Sequence, residues 1–210
     1  VYSIGPGGRL AKHADLAAHA RGAANDMLVD RQGRAYVGHH GFDFFGGAAP
    51  QPASLLLVGT DGRVRVVAED LVFPNGMALT PDGRTLIVAE SFAHRLTAFD
   101  VAADGSLSSR RTFAQLDGHT PDGICLDDTG CVIAASPLTG AFVRVREGGE
   151  VLRTLPTAGG RWAVACAFVG RQRDTLACLT AATTLEGMPR GESQAFVETV
   201  DLGVRGVGLP

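Results

Sequence analysis

Apolar residues along this chain come in short runs that alternate with polar ones at a period of two, and the runs end at glycine-containing turns. Three stretches share one pattern. Asn25-Asp26-Met27-Leu28-Val29-Asp30 passes through Gln32-Gly33 into an apolar run at 35–38. Asn75-Gly76-Met77-Ala78-Leu79-Thr80 passes through Asp82-Gly83 into 85–89, and Asp122-Gly123-Ile124-Cys125-Leu126-Asp127 passes through Thr129-Gly130 into 131–135. Each spells strand, tight turn, strand. A second hairpin follows each of them, at 54–71 around Asp61-Gly62, 95–116 around Asp104-Gly105 and 141–157 around Gly148-Gly149.

Two hairpins make a four-stranded antiparallel unit, and the unit starts at Asn25, Asn75 and Asp122 lie 50 and 47 residues apart. Four strands recurring at that period predict the blades of an all-β propeller. A weaker fourth unit runs through 163–168, 174–180 and 194–200. No segment carries the apolar spacing of an amphipathic helix, and the alanine-rich stretch 11–20 reads as a strand end or a single turn. Residues 1–12 read as the second hairpin of a blade whose first hairpin is absent. A propeller closes on itself to hide its sheet edges. Four and a half units therefore lead us to expect one to one and a half further blades on the N-terminal side, roughly 60 to 80 residues at this repeat length.

Composition supports a folded domain: 45% of the 210 residues are hydrophobic and 20% charged, with 28 glycines and 10 prolines to supply turns. There is no apolar run long enough to span a membrane. A net charge of −3 with no basic stripe argues against nucleic acid as a partner. Cys125, Cys131, Cys166 and Cys178 form no Cys-x-x-Cys pair and sit among apolar neighbours, so buried reduced thiols are expected. The N-terminus shows no basic segment followed by an apolar one, and the cytoplasm is the expected compartment. A monomer or weak homo-oligomer without membrane partners completes this expectation.

The innermost strand of every propeller blade lines the central channel, so equivalent positions in successive blades form a ring. Asn25, Asn75 and Asp122 occupy one such position. A ring of amide and carboxylate oxygens suits a hard divalent cation while leaving open positions for water or substrate. The plainer alternative is that Asn and Asp merely satisfy turn backbone at strand starts.

These segments, together with Phe73-Pro74, Pro81-Asp82-Gly83-Arg84, Arg95-Leu96-Thr97-Ala98-Phe99-Asp100 and Asp201-Leu202-Gly203-Val204-Arg205-Gly206, resemble the regucalcin, gluconolactonase and luciferin-regenerating-enzyme family across nearly the whole chain. The resemblance implies a six-bladed β-propeller that hydrolyses a small lactone, such as a sugar acid lactone, with one divalent cation at the channel mouth. Calcium is the first expectation, with zinc, manganese or magnesium as alternatives. It implies metal-binding roles for Asn75 and Asp122, with Asp122 also the candidate general base. Asn25 becomes a substrate contact close to the metal, and Asp43 a candidate acidic substrate contact. Two departures stand out. The family's glutamate ligand from a leading blade has no counterpart here, and Ala23 stands where regucalcin-type members carry arginine. A calcium- or small-ligand-binding propeller without turnover is the alternative function.

Other features are set aside on physical grounds. Adjacent residues of an extended chain point to opposite sides, so at most one of His39 and His40 faces the channel mouth. His13, His19, His94 and His119 have no partner at ligand spacing. No Gly-x-Ser-x-Gly elbow supports a serine hydrolase, and Ser91 and Ser136 read as packed strand-end residues. The loop Gly159-Gly160-Arg161-Trp162 reads as a turn carrying a partly buried aromatic, with a substrate wall as the alternative. A scaffold of the WD type is disfavoured by the polar ring position and the absent WD dipeptide.

Overall fold

Alternation at a period of two gives every strand two faces, and in the middle strands of the first three sheets both are largely buried. The computed structural model describes residues 1–209. It is all-β. A hairpin of β1 (Tyr2–Ile4) and β2 (Leu10–Lys12) precedes four sheets. The first contains β3 (Ala24–Val29), β4 (Ala35–His39), β5 (Ala53–Val58) and β6 (Val64–Leu71), and the second β7 (Pro74–Leu79), β8 (Thr85–Glu90), β9 (Arg95–Val101) and β10 (Leu107–Gln115). The third holds β11 (Ile124–Asp127), β12 (Val132–Ser136), β13 (Ala141–Val145) and β14 (Val151–Pro156). The fourth has three strands: β15 (Trp162–Val169), β16 (Thr175–Ala182) and β17 (Gln194–Asp201). Neighbours in sequence pair antiparallel throughout, which is the up-and-down order of propeller blades. The stretch 11–20 contributes only the end of β2 and a turn.

The cores lie between sheets. In β8, Leu86 and Val88 join Leu28, Tyr36, Leu55 and Leu57 of the first sheet, while Ile87 and Ala89 join Ile124, Val132 and Val143 of the third. In β12, Val132 and Ala134 face the second sheet, and Ile133 and Ala135 pack with Cys166, Phe168 and Leu176 of the fourth. Such strands read as continuous apolar runs because each face meets a different blade. Each first hairpin is closed by a carboxylate or hydroxyl. Asp30 accepts the Gln32 and Arg34 N–H groups, Asp127 those of Thr129 and Cys131, and Gly33 and Gly130 follow at φ +80°. Asp127 is fully buried and paired with Arg144 at 2.7 Å.

The C-terminal segment supplies an element that composition did not announce. β18 (Gly206–Val207) pairs with β11 at Leu126 and Asp127, and Leu209 bridges to Leu79 of β7. It thus runs past the C-terminal ends of the innermost strands, opposite to the end that carries Asn75 and Asp122. All four cysteines are free and buried, and Cys125 and Cys166 bring their sulfurs to 3.5 Å between the third and fourth blades. Among the described residues, no helix is long and apolar enough to cross a membrane.

Candidate functional site

Every innermost strand is interrupted at one place, and the candidate residues sit there. In β3, Ala24 pairs with His39 and Met27 with Val37, so Asn25 and Asp26 are accommodated by a bulge. In β7, Pro74 pairs with Glu90 and Met77 with Val88, which leaves Asn75 and Gly76 in the same irregularity. Ahead of β11, Asp122 N–H donates to the Ala135 carbonyl and Ala135 N–H to that of Gly123. A bulge sets one extra residue against the partner strand and re-aims its side chain. Here it turns Asn25, Asn75 and Asp122 toward one end of the channel.

Glycine then lets the blades close up. Gly76 N–H donates to the Asp122 carbonyl at 3.2 Å, and Gly123 N–H to that of Val164 at 2.9 Å. A Cβ at Gly76 would lie 2.4 Å from that Asp122 oxygen, and one at Gly123 would lie 2.7 Å from the Ala165 Cα. Asn25 Nδ2 donates to the Pro74 carbonyl at 3.0 Å. The three side chains therefore come from consecutive blades and line one hollow of about 540 Å³. By the same register the fourth blade offers Val164, which lines the hollow without a ligating atom.

Asn75 is buried, and its amide N–H donates to Ser91 Oγ at 3.1 Å; Ser91 in turn donates to the Pro121 carbonyl at 2.7 Å. Ser91 thus fixes the Asn75 amide rather than merely packing. Ser136, its counterpart on the third blade, accepts the Thr120 N–H. Burial, followed by the charge of Asp26, pushes the Asp122 carboxyl up to about 7 against the Asn75 amide and the Gly123 N–H, which draw it down. Asp26 is also raised by its enclosure, although its side chain remains open to solvent. Among the described residues neither carboxylate has a salt-bridge partner, and no Lys or Arg lines the hollow. Two carboxylates and two amides facing one space without a cation are a donor set of hard oxygens that fits a divalent metal. Among the described residues no cluster of three or more His, Cys, Asp or Glu forms a metal site; half of this set is amide.

The remaining candidates separate clearly. His40 lines the hollow, stacked on Phe73 at 4.6 Å, and burial holds its imidazole below the ordinary value. His39 turns into the blade, between the Arg21 carbonyl and Ser54. Asp43 is exposed on the loop after β4, accepts the Gly46 N–H at 3.0 Å and is not among the lining residues. Its neighbours Phe44 and Phe45 are. Trp162, half-buried at the start of β15, also faces the hollow. Sequence reasoning passed over Asp26, whose only signal was its place next to Asn25 where the other two blades have glycine.

Residues 3–183 match the family described as SMP-30/Gluconolactonase/LRE-like region. A 6-deoxy-6-sulfogluconolactonase from Pseudomonas putida is 33% identical over 180 residues, covering 81% of this chain and 57% of that protein. The structure of a gluconolactonase from Xanthomonas campestris superposes with a TM-score of 0.68 at 27% identity, over 84% of this chain and 61% of that one. A calcium-binding regucalcin from Agrobacterium tumefaciens superposes with a TM-score of 0.71 at 21% identity, over 96% and 68%, a likeness of fold. The chain spans about six tenths of the length of the curated relatives it matches.

Proposed function

Since the chain belongs to the SMP-30/gluconolactonase/LRE-like family, we propose that it is the four-blade arc of a six-bladed propeller that hydrolyses a small lactone with the help of one divalent cation. The observation that carries this reading is the meeting of Asn25, Asn75 and Asp122 from consecutive blades in a hollow lined by no Lys or Arg. The six-blade count is supported by the fourth sheet, whose Val169, Leu179 and Val197 are exposed with no facing blade, and by the exposed Met27 and Val29 of β3. Apolar residues on the faces of both terminal sheets are what further blades of the same kind would cover.

Asn25, Asn75 and Asp122 would hold the cation, with Asp26 adding negative charge beside it. Calcium is our first assignment, since all the donors are oxygens. When bound, such an ion supplies Lewis-acid polarisation of the lactone carbonyl and offsets the charge that develops on its oxygen. The chain's own residues do the rest. Ser91 accepts from the Asn75 amide N–H and so holds that amide in one orientation. Asp122 accepts the proton of the attacking water and returns it to the ring oxygen as the ester bond opens. The apolar rim limits the water that reaches the reacting bond.

Hydrolysis followed by acid release, with and without a chelator, tests this. Turnover that disappears with chelator, returns with calcium and is abolished in a folded Asp122→Ala variant is the expected result. Unchanged turnover in that variant refutes the role of Asp122. Metal uptake without any turnover points instead to a cation-binding propeller that is not an enzyme.

A further inference from the structure

Beside its oxygen cluster, the hollow is lined by several aromatic side chains. Phe44 and Phe45 descend from the loop after β4, Phe73 precedes β7, and Phe92 sits on the single turn that follows Ser91. Their rings are contiguous. Phe73 lies 4.4 Å from Phe92 and 5.3 Å from Phe44, and Phe44 lies 5.1 Å from Phe45, with His40 stacked on the far side of Phe73. Leu138, Trp162 and Met188 line the same hollow.

Two facts separate this wall from ordinary core. Phe45 is 56% exposed, Phe92 38% and Leu138 62%, so much of their apolar surface is left uncovered in the folded chain. Phe73 adopts φ +57°, a left-handed conformation that costs a bulky side chain energy and persists where surroundings over-determine it. That conformation precedes the bulge at Asn75 and seats the ring between His40 and Phe92. Hydroxyl-rich rings need several donors and acceptors along their length. Beyond the oxygen cluster, the lining offers few polar groups: the Thr120 hydroxyl, the Trp162 indole N–H and the His40 imidazole, with the Ser91 hydroxyl already engaged by Asn75 and the Pro121 carbonyl.

We propose that the substrate class is a lactone bearing an apolar substituent, aryl or alkyl, that lies along the Phe44, Phe45, Phe73 and Phe92 wall while the lactone ring meets the oxygen cluster. This rests on the hydrolytic reading for the ring but concerns the wall alone. Trp162 lines the same hollow, so the fluorescence change that disappears in a Trp162→Phe variant reports occupancy. The full natural protein is treated with chelator and titrated with dihydrocoumarin, δ-decalactone and glucono-δ-lactone, and hydrolysis of each is then followed with calcium restored. The two apolar lactones are expected to saturate the Trp162 signal at concentrations at least tenfold below glucono-δ-lactone. Phe45→Ala and Phe92→Ala are each expected to weaken that binding roughly tenfold, with little change for glucono-δ-lactone. Equal or tighter binding of glucono-δ-lactone, or apolar binding indifferent to both substitutions, overturns the proposal. Apolar lactones that bind through the wall but are never hydrolysed uphold the inference while removing the hydrolytic reading. Glucono-δ-lactone hydrolysis without apolar binding does the reverse.

Discussion

Gly76→Ala is a one-methyl change that bears on both the packing and the site. The added Cβ would stand 2.4 Å from the Asp122 carbonyl oxygen, 2.7 Å from the Gly123 Cα and 2.7 Å from the Ile124 N. All three are backbone atoms, so no side chain can rotate to make room. Ordinary contact begins near 3.4 Å, so β7 and the start of β11 must part by about 1 Å at the level of Asn75 and Asp122. The Gly76 N–H bond to Asp122 is stretched in the same movement. Overpacking of about 1–3 kcal/mol and loss of about 1 kcal/mol from the hydrogen bond give a loss of stability of about 2–4 kcal/mol. For a domain of this size that lowers Tm by about 5–15 °C. Because the methyl separates two ligating positions, calcium affinity should fall roughly tenfold or more. Gly83→Ala is the control: its Cβ meets nothing within 4 Å, though its φ of +71° still carries the left-handed cost of about 1–2 kcal/mol. That variant should keep wild-type calcium affinity. Thermal unfolding and calorimetric titration of both variants decide the matter. A Gly76→Ala protein no less stable than Gly83→Ala, with calcium affinity unchanged, refutes the close approach of the two strands.

Ser91→Ala removes the acceptor of the Asn75 amide and the donor to the Pro121 carbonyl, and should cost about 1–3 kcal/mol of stability. Its calcium affinity should fall about 10- to 100-fold, as when an oriented ligand loses its support, and titration calorimetry reads the change. Asp127→Asn breaks the pair of fully buried Asp127 with partly buried Arg144 and should cost about 2–4 kcal/mol in urea unfolding at neutral pH. Burial opposes ionisation of Asp127, but bonds from Thr129 and Arg144 outweigh it and hold its carboxyl below the ordinary 3.8. Its contribution is therefore present above that value and is lost as the pH falls through the depressed one. The gap between wild type and Asp127→Asn should narrow below about pH 4, and a gap constant down to pH 2 would contradict the pairing.

The repeat was legible because strand alternation, turn glycines and spacing all point the same way. Even the weak fourth unit at 163–168, 174–180 and 194–200 corresponds to β15, β16 and β17. The placement of Asn25, Asn75 and Asp122 was legible too, since equivalent positions of innermost strands must share one axis. The bulges at Asn25-Asp26 and Asn75-Gly76 were not, because a bulge shows only when the partner strand's register is known. β18 escaped notice for a similar reason: two residues carry no periodicity, and the segment is held by its contacts with β11 and β7. The family resemblance implies Asp43 as an acidic substrate contact; in the fold it accepts the Gly46 N–H, and its neighbours Phe44 and Phe45 line the hollow. The aromatic wall comes from three separate loops, and only the fold unites them.

Titration of calcium into chelator-stripped full-length protein, repeated with Asp122→Asn and Asn75→Ala, addresses the oxygen cluster itself. One ion per protein, bound by the wild type and weakened at least a hundredfold in both folded variants, is the expected result. Undiminished binding in either variant would mean that the cation, if it binds, is held elsewhere.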